Sequence, residues 1–104
     1  MYRIEITATA QANADAAYDW MVEHISASYA ERWYQELFKQ IGTLVRHPTR
    51  CPLAPESPKF ADEVRELIFG KRRHKHKYRI LFSVKKDLVS ILYVYHSSRD
   101  EIEL

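Results

Sequence analysis

Four prolines divide this chain of 104 residues into two parts with different patterns. They stand at positions 48, 52, 55 and 58, all between His47 and Lys59. Proline has no backbone N–H and a fixed φ angle, so a segment this rich in proline cannot form a regular helix or a central strand. We therefore expect a loop here that connects two halves of one domain.

The residues before the prolines have the pattern of one strand and two helices. Apolar and polar side chains alternate from Tyr2 to Thr7, as in a half-buried strand. Apolar residues recur at helical spacing from about Ala10, and again after Ser28 and Glu31, which have the spacing of a capping box. The second helix is expected to end before Pro48. The short connection at residues 26–28 predicts an antiparallel helix hairpin.

The residues after the prolines have the pattern of three strands. Val64 to Phe69, Tyr78 to Val84 and Leu88 to Tyr95 are rich in β-branched and aromatic side chains. The connections at 70–76 and 85–87 are short, which predicts an antiparallel meander. The expected fold is α+β in the order β-α-α-β-β-β, with the helix hairpin packed on one face of an antiparallel sheet. We expect one domain over residues 1–104.

Composition indicates a globular protein of the cytoplasm. Apolar residues make up 46% of the chain and charged residues 29%. Cys51 is the only cysteine, and the start of the chain has no apolar stretch like that of a secretion signal. Charged residues interrupt every apolar run before it reaches the roughly 20 residues of a membrane span. We therefore expect no membrane association.

The positive charge is concentrated in the second half of the chain. Between Arg65 and Lys86 there are nine lysines and arginines and a single acid, Glu66, whereas the first 64 residues are mildly acidic. Such a local field attracts a polyanion or an acidic protein segment. Lysines that merely keep a hairpin in solution explain the same pattern, so charge alone leaves both interpretations open.

Three stretches resemble the RelE/ParE superfamily of toxins, often called plasmid stabilisation proteins. They are the start from Tyr2 to Thr7 with the helix hairpin that follows, the loop from Arg50 to Glu56, and the strands from Val64 to His96. The resemblance covers nearly the whole chain. It implies the toxin of a type II toxin-antitoxin system, whose partner is a cognate antitoxin protein.

The resemblance leaves the target of the toxin open. Some relatives cleave messenger RNA in the ribosomal A site, some poison DNA gyrase, and some have lost activity. Our first hypothesis is translation inhibition by a metal-independent endoribonuclease, an mRNA interferase that works with the ribosome and needs no cofactor. The alternatives are a non-enzymatic inhibitor of gyrase and an inactive protein that only binds antitoxin.

Cleavage of RNA without a metal requires a base, a proton donor and positive charge at the phosphate. The resemblance assigns the phosphate to Arg79, with a salt-bridged arginine as the alternative. It places His96 where relatives have a catalytic histidine or tyrosine, with a structural hydrogen bond at the strand end as the alternative. Arg65 matches an arginine on the same concave surface. Glu63 and Glu66 are the nearest carboxylates, and neither aligns with the family's glutamate.

The hairpin between the second and third strands is unusually basic. It is a candidate grip on ribosomal RNA, with a solvated turn as the alternative. The candidate RNA-binding residues are Lys71, Arg72, Arg73, Lys75, Lys77 and Arg99. The histidines and Cys51 do not have the spacing of a zinc site, so we expect no metal.

The arrangement of three residues distinguishes the two active mechanisms. If Arg65, Arg79 and His96 cluster on one concave face, cleavage is favoured. If they are scattered, inhibition of gyrase is favoured.

Overall fold

The computed structural model describes residues 1–70 and 77–96. Within these ranges the chain forms one sheet of four strands and two long helices. The elements in chain order are β1 (Arg3–Ile6), α1 (Ala8–His24), α2 (Ala27–Gly42), β2 (Val64–Phe69), β3 (Tyr78–Lys85) and β4 (Leu88–His96). The proline-rich segment contains short 3-10 turns and one β-bridge residue, Leu53, but no long helix or central strand, as its composition predicts. The predicted order β-α-α-β-β-β is confirmed.

Two hydroxyl groups fix where the helices begin. The Thr7 side chain accepts a hydrogen bond from the N–H of Ala10, so α1 starts at Ala8, slightly before the predicted position. The Ser26 side chain accepts from the N–H of Tyr29 and caps α2. The predicted capping box at Ser28 is therefore wrong: Ser28 already lies in the first turn of α2, because a serine two residues earlier supplies the cap.

The sheet is mixed, which corrects the prediction of a purely antiparallel one. The strand order is β1-β4-β3-β2, and β1 pairs with β4 in parallel while the other two pairs are antiparallel. Tight turns force antiparallel pairing only on the strands that they connect. The helix hairpin leads from β1 to the rest of the sheet, so β1 is free to run alongside the last strand.

The two faces of the sheet are covered by different parts of the chain. Ile80, Phe82 and Ile91 point to the helix face, where they form one core with α1 and α2. This confirms the prediction that the helix hairpin packs on one face. Arg79 and Leu81 alternate with these residues and point to the opposite side, which we call the loop face. Part of the proline-rich loop covers it.

Helix α1 buries a narrower stripe than its sequence predicts. Ala14 and Met21 are almost fully buried. By contrast, Val22 is 41% exposed and Ile25 is 43% exposed, although both were expected on the buried stripe. Both residues lie beside the contact between α1 and α2, near the turn that joins the two helices. None of the helices described is long and apolar enough to cross a membrane.

The cap of α2 allows a matched test. Ser26→Ala removes the acceptor for the Tyr29 N–H, so we expect the free energy of unfolding to fall by about 1 kcal/mol. Ser28→Ala, at an exposed position in the same turn, should change it by less than about 0.5 kcal/mol. Urea unfolding of both variants measures the difference. Equal losses would contradict Ser26 as the cap.

Candidate functional site

Arg79 lies at the centre of a buried cluster of charges on the loop face. Its Nη1 and Nη2 atoms donate to the two carboxylate oxygens of Glu56 at 2.7 and 2.6 Å. Its Nε and Nη2 atoms donate to Oε2 of Glu66 at 3.1 and 2.8 Å. The Glu56 side chain is 0% exposed and that of Arg79 is 8% exposed. We call Glu56, Glu66 and Arg79 the Arg79 triad.

The proline-rich loop and two strands bring the Arg79 triad together. Glu66 lies on β2 and Arg79 on β3, and the two residues are diagonal neighbours across this antiparallel strand pair. The loop is held against β2 by the N–H of Ala54, which donates to Val64, and by the carbonyl of Pro52, which accepts from Glu66. These bonds place Glu56 over the guanidinium.

The electrostatics of the triad do not favour binding of an anion. Two carboxylates face one guanidinium, so the ionised group carries a net charge of about −1. Hydrogen bonds to Glu56, and less strongly to Glu66, raise the pKa of Arg79 above its ordinary value against the lowering effect of burial. Arg79 is thus permanently charged and paired. A phosphate would have to displace a carboxylate to reach it.

Arg65 lies on the opposite side of the sheet from Arg79. It pairs with Phe82 across the β2–β3 ladder, and directly opposed residues point to the same face, here the helix face. Its Nη1 atom donates to the carbonyls of Cys51 and Thr49 at 2.6 and 3.2 Å. These hydrogen bonds of Arg65 attach the start of the proline-rich loop to β2. Burial raises the pKa of the nearby Cys51 thiol.

His96 is the last residue of β4 and also points to the helix face. It pairs with Tyr78, and the two rings meet edge to face with centroids 5.2 Å apart. Arg79 pairs with Tyr95, the neighbour of His96, so Arg79 and His96 point to opposite faces.

The three predicted catalytic residues are therefore scattered. Arg79 is on the loop face, while Arg65 and His96 are on the helix face. Their partners Phe82 and Tyr78 are four residues apart on β3, which separates Arg65 from His96 by about 13 Å along the strands. The part of the chain that the structure describes does not bring them into one cleft.

The remaining candidates divide between described and undescribed residues. Glu66 belongs to the triad, and Glu63 is exposed just before β2. Lys77 is half-buried directly before β3. The other predicted RNA-binding residues lie outside the described residues: Lys71, Arg72, Arg73, Lys75 and Arg99. Within residues 1–70 and 77–96, no three histidine, cysteine, aspartate or glutamate side chains converge as metal ligands do.

Sequence reasoning missed the role of Glu56. It considered the acids next to β2, whereas Glu56 lies 23 positions before Arg79 in the proline-rich loop. A signal was present, because a charge in a strand as apolar as β3 requires compensation when it is buried. What the sequence did not provide was the path of the loop over the sheet.

The ParE toxin of type II toxin-antitoxin systems (parDE) is the family whose model matches residues 4–101. This chain belongs to the ParE toxin family. The prediction of a type II toxin is confirmed by this match. No curated protein matches the chain.

A solved structure supports the fold of this ParE-family toxin. It is the chromosomal ParDE toxin-antitoxin system from P. aeruginosa, whose matching chain is 25% identical to this toxin and superimposes with a TM-score of 0.72. The match covers 92% of this chain and 96% of the other.

The triad makes a specific prediction about stability. Arg79→Met leaves the buried carboxylate of Glu56 and the partly buried carboxylate of Glu66 without a counter-charge, so it should lower the free energy of unfolding by about 3–5 kcal/mol. Arg3→Met is the control, because it breaks an exposed ion pair with Asp87. In that pair, Arg3 lowers the pKa of Asp87. The control should leave the urea midpoint of unfolding unchanged within error. Equal effects of the two substitutions would contradict a structural role for the triad.

Proposed function

We propose that this ParE-family toxin is a non-enzymatic inhibitor of DNA gyrase, held inactive by its cognate antitoxin. The observation that carries the proposal is the scatter of Arg65, Arg79 and His96 over two faces of the sheet. A metal-independent nuclease needs its base, proton donor and phosphate ligand around one reacting group. The family match supports the same conclusion, since the relatives that poison gyrase are of the ParE type.

The Arg79 triad supports this proposal in a second way. In a nuclease, a strand arginine stabilises the charge that develops on the phosphate. Here its guanidinium already holds two carboxylates, so it acts as a support for the loop. The triad thus fixes the loop to the sheet and leaves no open anion site at Arg79.

The turn end of the helix hairpin is the proposed contact with gyrase. Trp20, Val22 and Ile25 are each more than two-fifths exposed there, and large exposed apolar side chains are common in protein interfaces. Trp20 stacks on His24 with ring centroids 4.7 Å apart, which holds the indole in place. A pre-ordered aromatic side chain loses little entropy when a partner covers it.

The mechanism is tested by two assays with the same purified toxin. We expect DNA supercoiling by gyrase to be blocked, and toeprinting of a translated messenger RNA to show no cut. Addition of antitoxin should restore supercoiling. His96→Gln should inhibit gyrase as strongly as the wild type does. Cleavage within A-site codons that is lost in His96→Gln and in Arg65→Gln would instead establish the endoribonuclease.

The hairpin contact is tested by substitutions on α1. Trp20→Ala should raise the toxin concentration for half-inhibition of gyrase by about tenfold, corresponding to about 1.4 kcal/mol of binding energy. The exposed Arg46 lies beyond the far end of α2, and Arg46→Ala serves as the control with no expected change. Equal inhibition by both variants would remove the hairpin from the interface.

A further inference from the structure

Two apolar side chains and two carboxylates share the exposed face of α1 near the turn of the hairpin. With about 3.6 residues per turn, Asp19 and Glu23 lie opposite the buried Met21, on the side of α1 that faces away from the core. Val22 lies on one flank of the two acids and Trp20 on the other, and both are exposed. No other part of the described chain covers this face, because all four residues around Met21 are exposed.

The acids of α1 are arranged in a way that is unfavourable for a helix. The helix contains three acids and no lysine or arginine. Asp15, Asp19 and Glu23 follow one another at intervals of four residues, about 6 Å apart along the helix axis. Like charges at this interval repel each other, and a carboxylate in the last turn opposes the helix dipole. The arrangement therefore lowers the stability of the free toxin.

Only the first of these acids has a role within the protein. Asp15 accepts a hydrogen bond from the hydroxyl of Tyr34 at 2.8 Å and one from Nε2 of Gln11 at 2.9 Å, which joins α1 to α2. Among the described residues, no side chain donates to Asp19 or Glu23, and both are exposed. Local features that oppose the stability of a fold are expected at functional surfaces.

The charge of this face favours a basic partner. Unpaired carboxylates attract lysine and arginine side chains, and charge complementarity of this kind speeds association and selects the partner. An enzyme that holds DNA carries basic surfaces, because lysine and arginine neutralise the phosphates. Gyrase therefore offers surfaces of the required charge.

We infer that the turn end of the hairpin docks on a basic surface of gyrase, where Asp19 and Glu23 pair with lysine or arginine side chains. Trp20 and Val22 pack on the apolar part of the same surface. This contact rests on the proposed function and adds to it the chemistry of the surface that the toxin binds. The two carboxylates stabilise the complex, whereas in the free toxin they only repel each other.

Neutralisation of the two acids tests this contact. The double substitution Asp19→Asn and Glu23→Gln should slow association with gyrase and weaken binding by about tenfold at low salt, and by less at high salt. The same variant should unfold at a higher urea concentration than the wild type, because the repulsion within α1 is removed. Surface plasmon resonance on immobilised gyrase and urea unfolding measure the two effects. Residues that only support the fold would not combine a gain in stability with a loss of affinity.

The double substitution Asp62→Asn and Glu63→Gln is the matched control. Both residues are exposed directly before β2, so the variant makes the same change of net charge outside the helix hairpin. It should bind gyrase as the wild type does. Equal losses of affinity in the two double variants would show an effect of net charge alone and overturn the inference.

Reversal of a single charge gives a graded test. Glu23→Lys should weaken binding of gyrase more than Glu23→Gln does, because the introduced lysine repels a basic surface. Equal affinities of these two variants would contradict a basic partner.

Two further results separate this contact from the choice of target. If wild-type toxin binds gyrase and the variant with Asp19→Asn and Glu23→Gln binds equally well, gyrase remains the target and the basic surface is overturned. If wild-type toxin does not bind gyrase, both the target and the contact are overturned. A loss of affinity for antitoxin, with affinity for gyrase unchanged, would assign this face to the antitoxin and also overturn the inference.

Discussion

The burial of one charged side chain determines how the two halves of this toxin fit together. Arg79 stands between the buried residues Tyr78 and Ile80, and the guanidinium can occupy that position only when carboxylates compensate its charge. Glu66 comes from the adjacent strand, but Glu56 comes from the loop that links the helices to the sheet. The requirement for both carboxylates therefore specifies the path of a loop that has almost no regular structure of its own.

The sequence predicted those features that depend on neighbouring residues. β2 was predicted at the observed bounds, and the turn after Lys85 was also correct, because alternation and turn composition act over a few residues. The direction of β1 and the path of the proline-rich loop could not be derived. Both depend on contacts between distant residues, such as Arg3 with Leu88 and Arg79 with Glu56. The start of α2 was misplaced for a different reason, since two serines two residues apart offer the same cap chemistry.

The same distinction applies to the candidate site. The sequence identified Arg79 as a residue with a special role. The alternation of side chains correctly placed it on the opposite face of the sheet from Tyr78 and Ile80. Whether that role concerns RNA or the fold depends on which side chains surround it, and a linear pattern does not contain this information. In this chain, the strand arginine is bound to two carboxylates. A nuclease would need an open anion site at the same position. Trp20, Val22 and Ile25 are exposed elsewhere, at the turn end of the helix hairpin.

The parallel pairing of β1 with β4 has a consequence for synthesis on the ribosome. β1 leaves the ribosome first, but among the described residues it pairs only with β4, more than 80 residues later. Thr7 shares this dependence, because it caps α1 while its hydroxyl donates to the carbonyl of Ile91 at 2.7 Å. Contacts this distant in sequence form late. A nascent chain that stops before β4 lacks the strand with which β1 pairs, so the sheet is completed only when synthesis has passed β4.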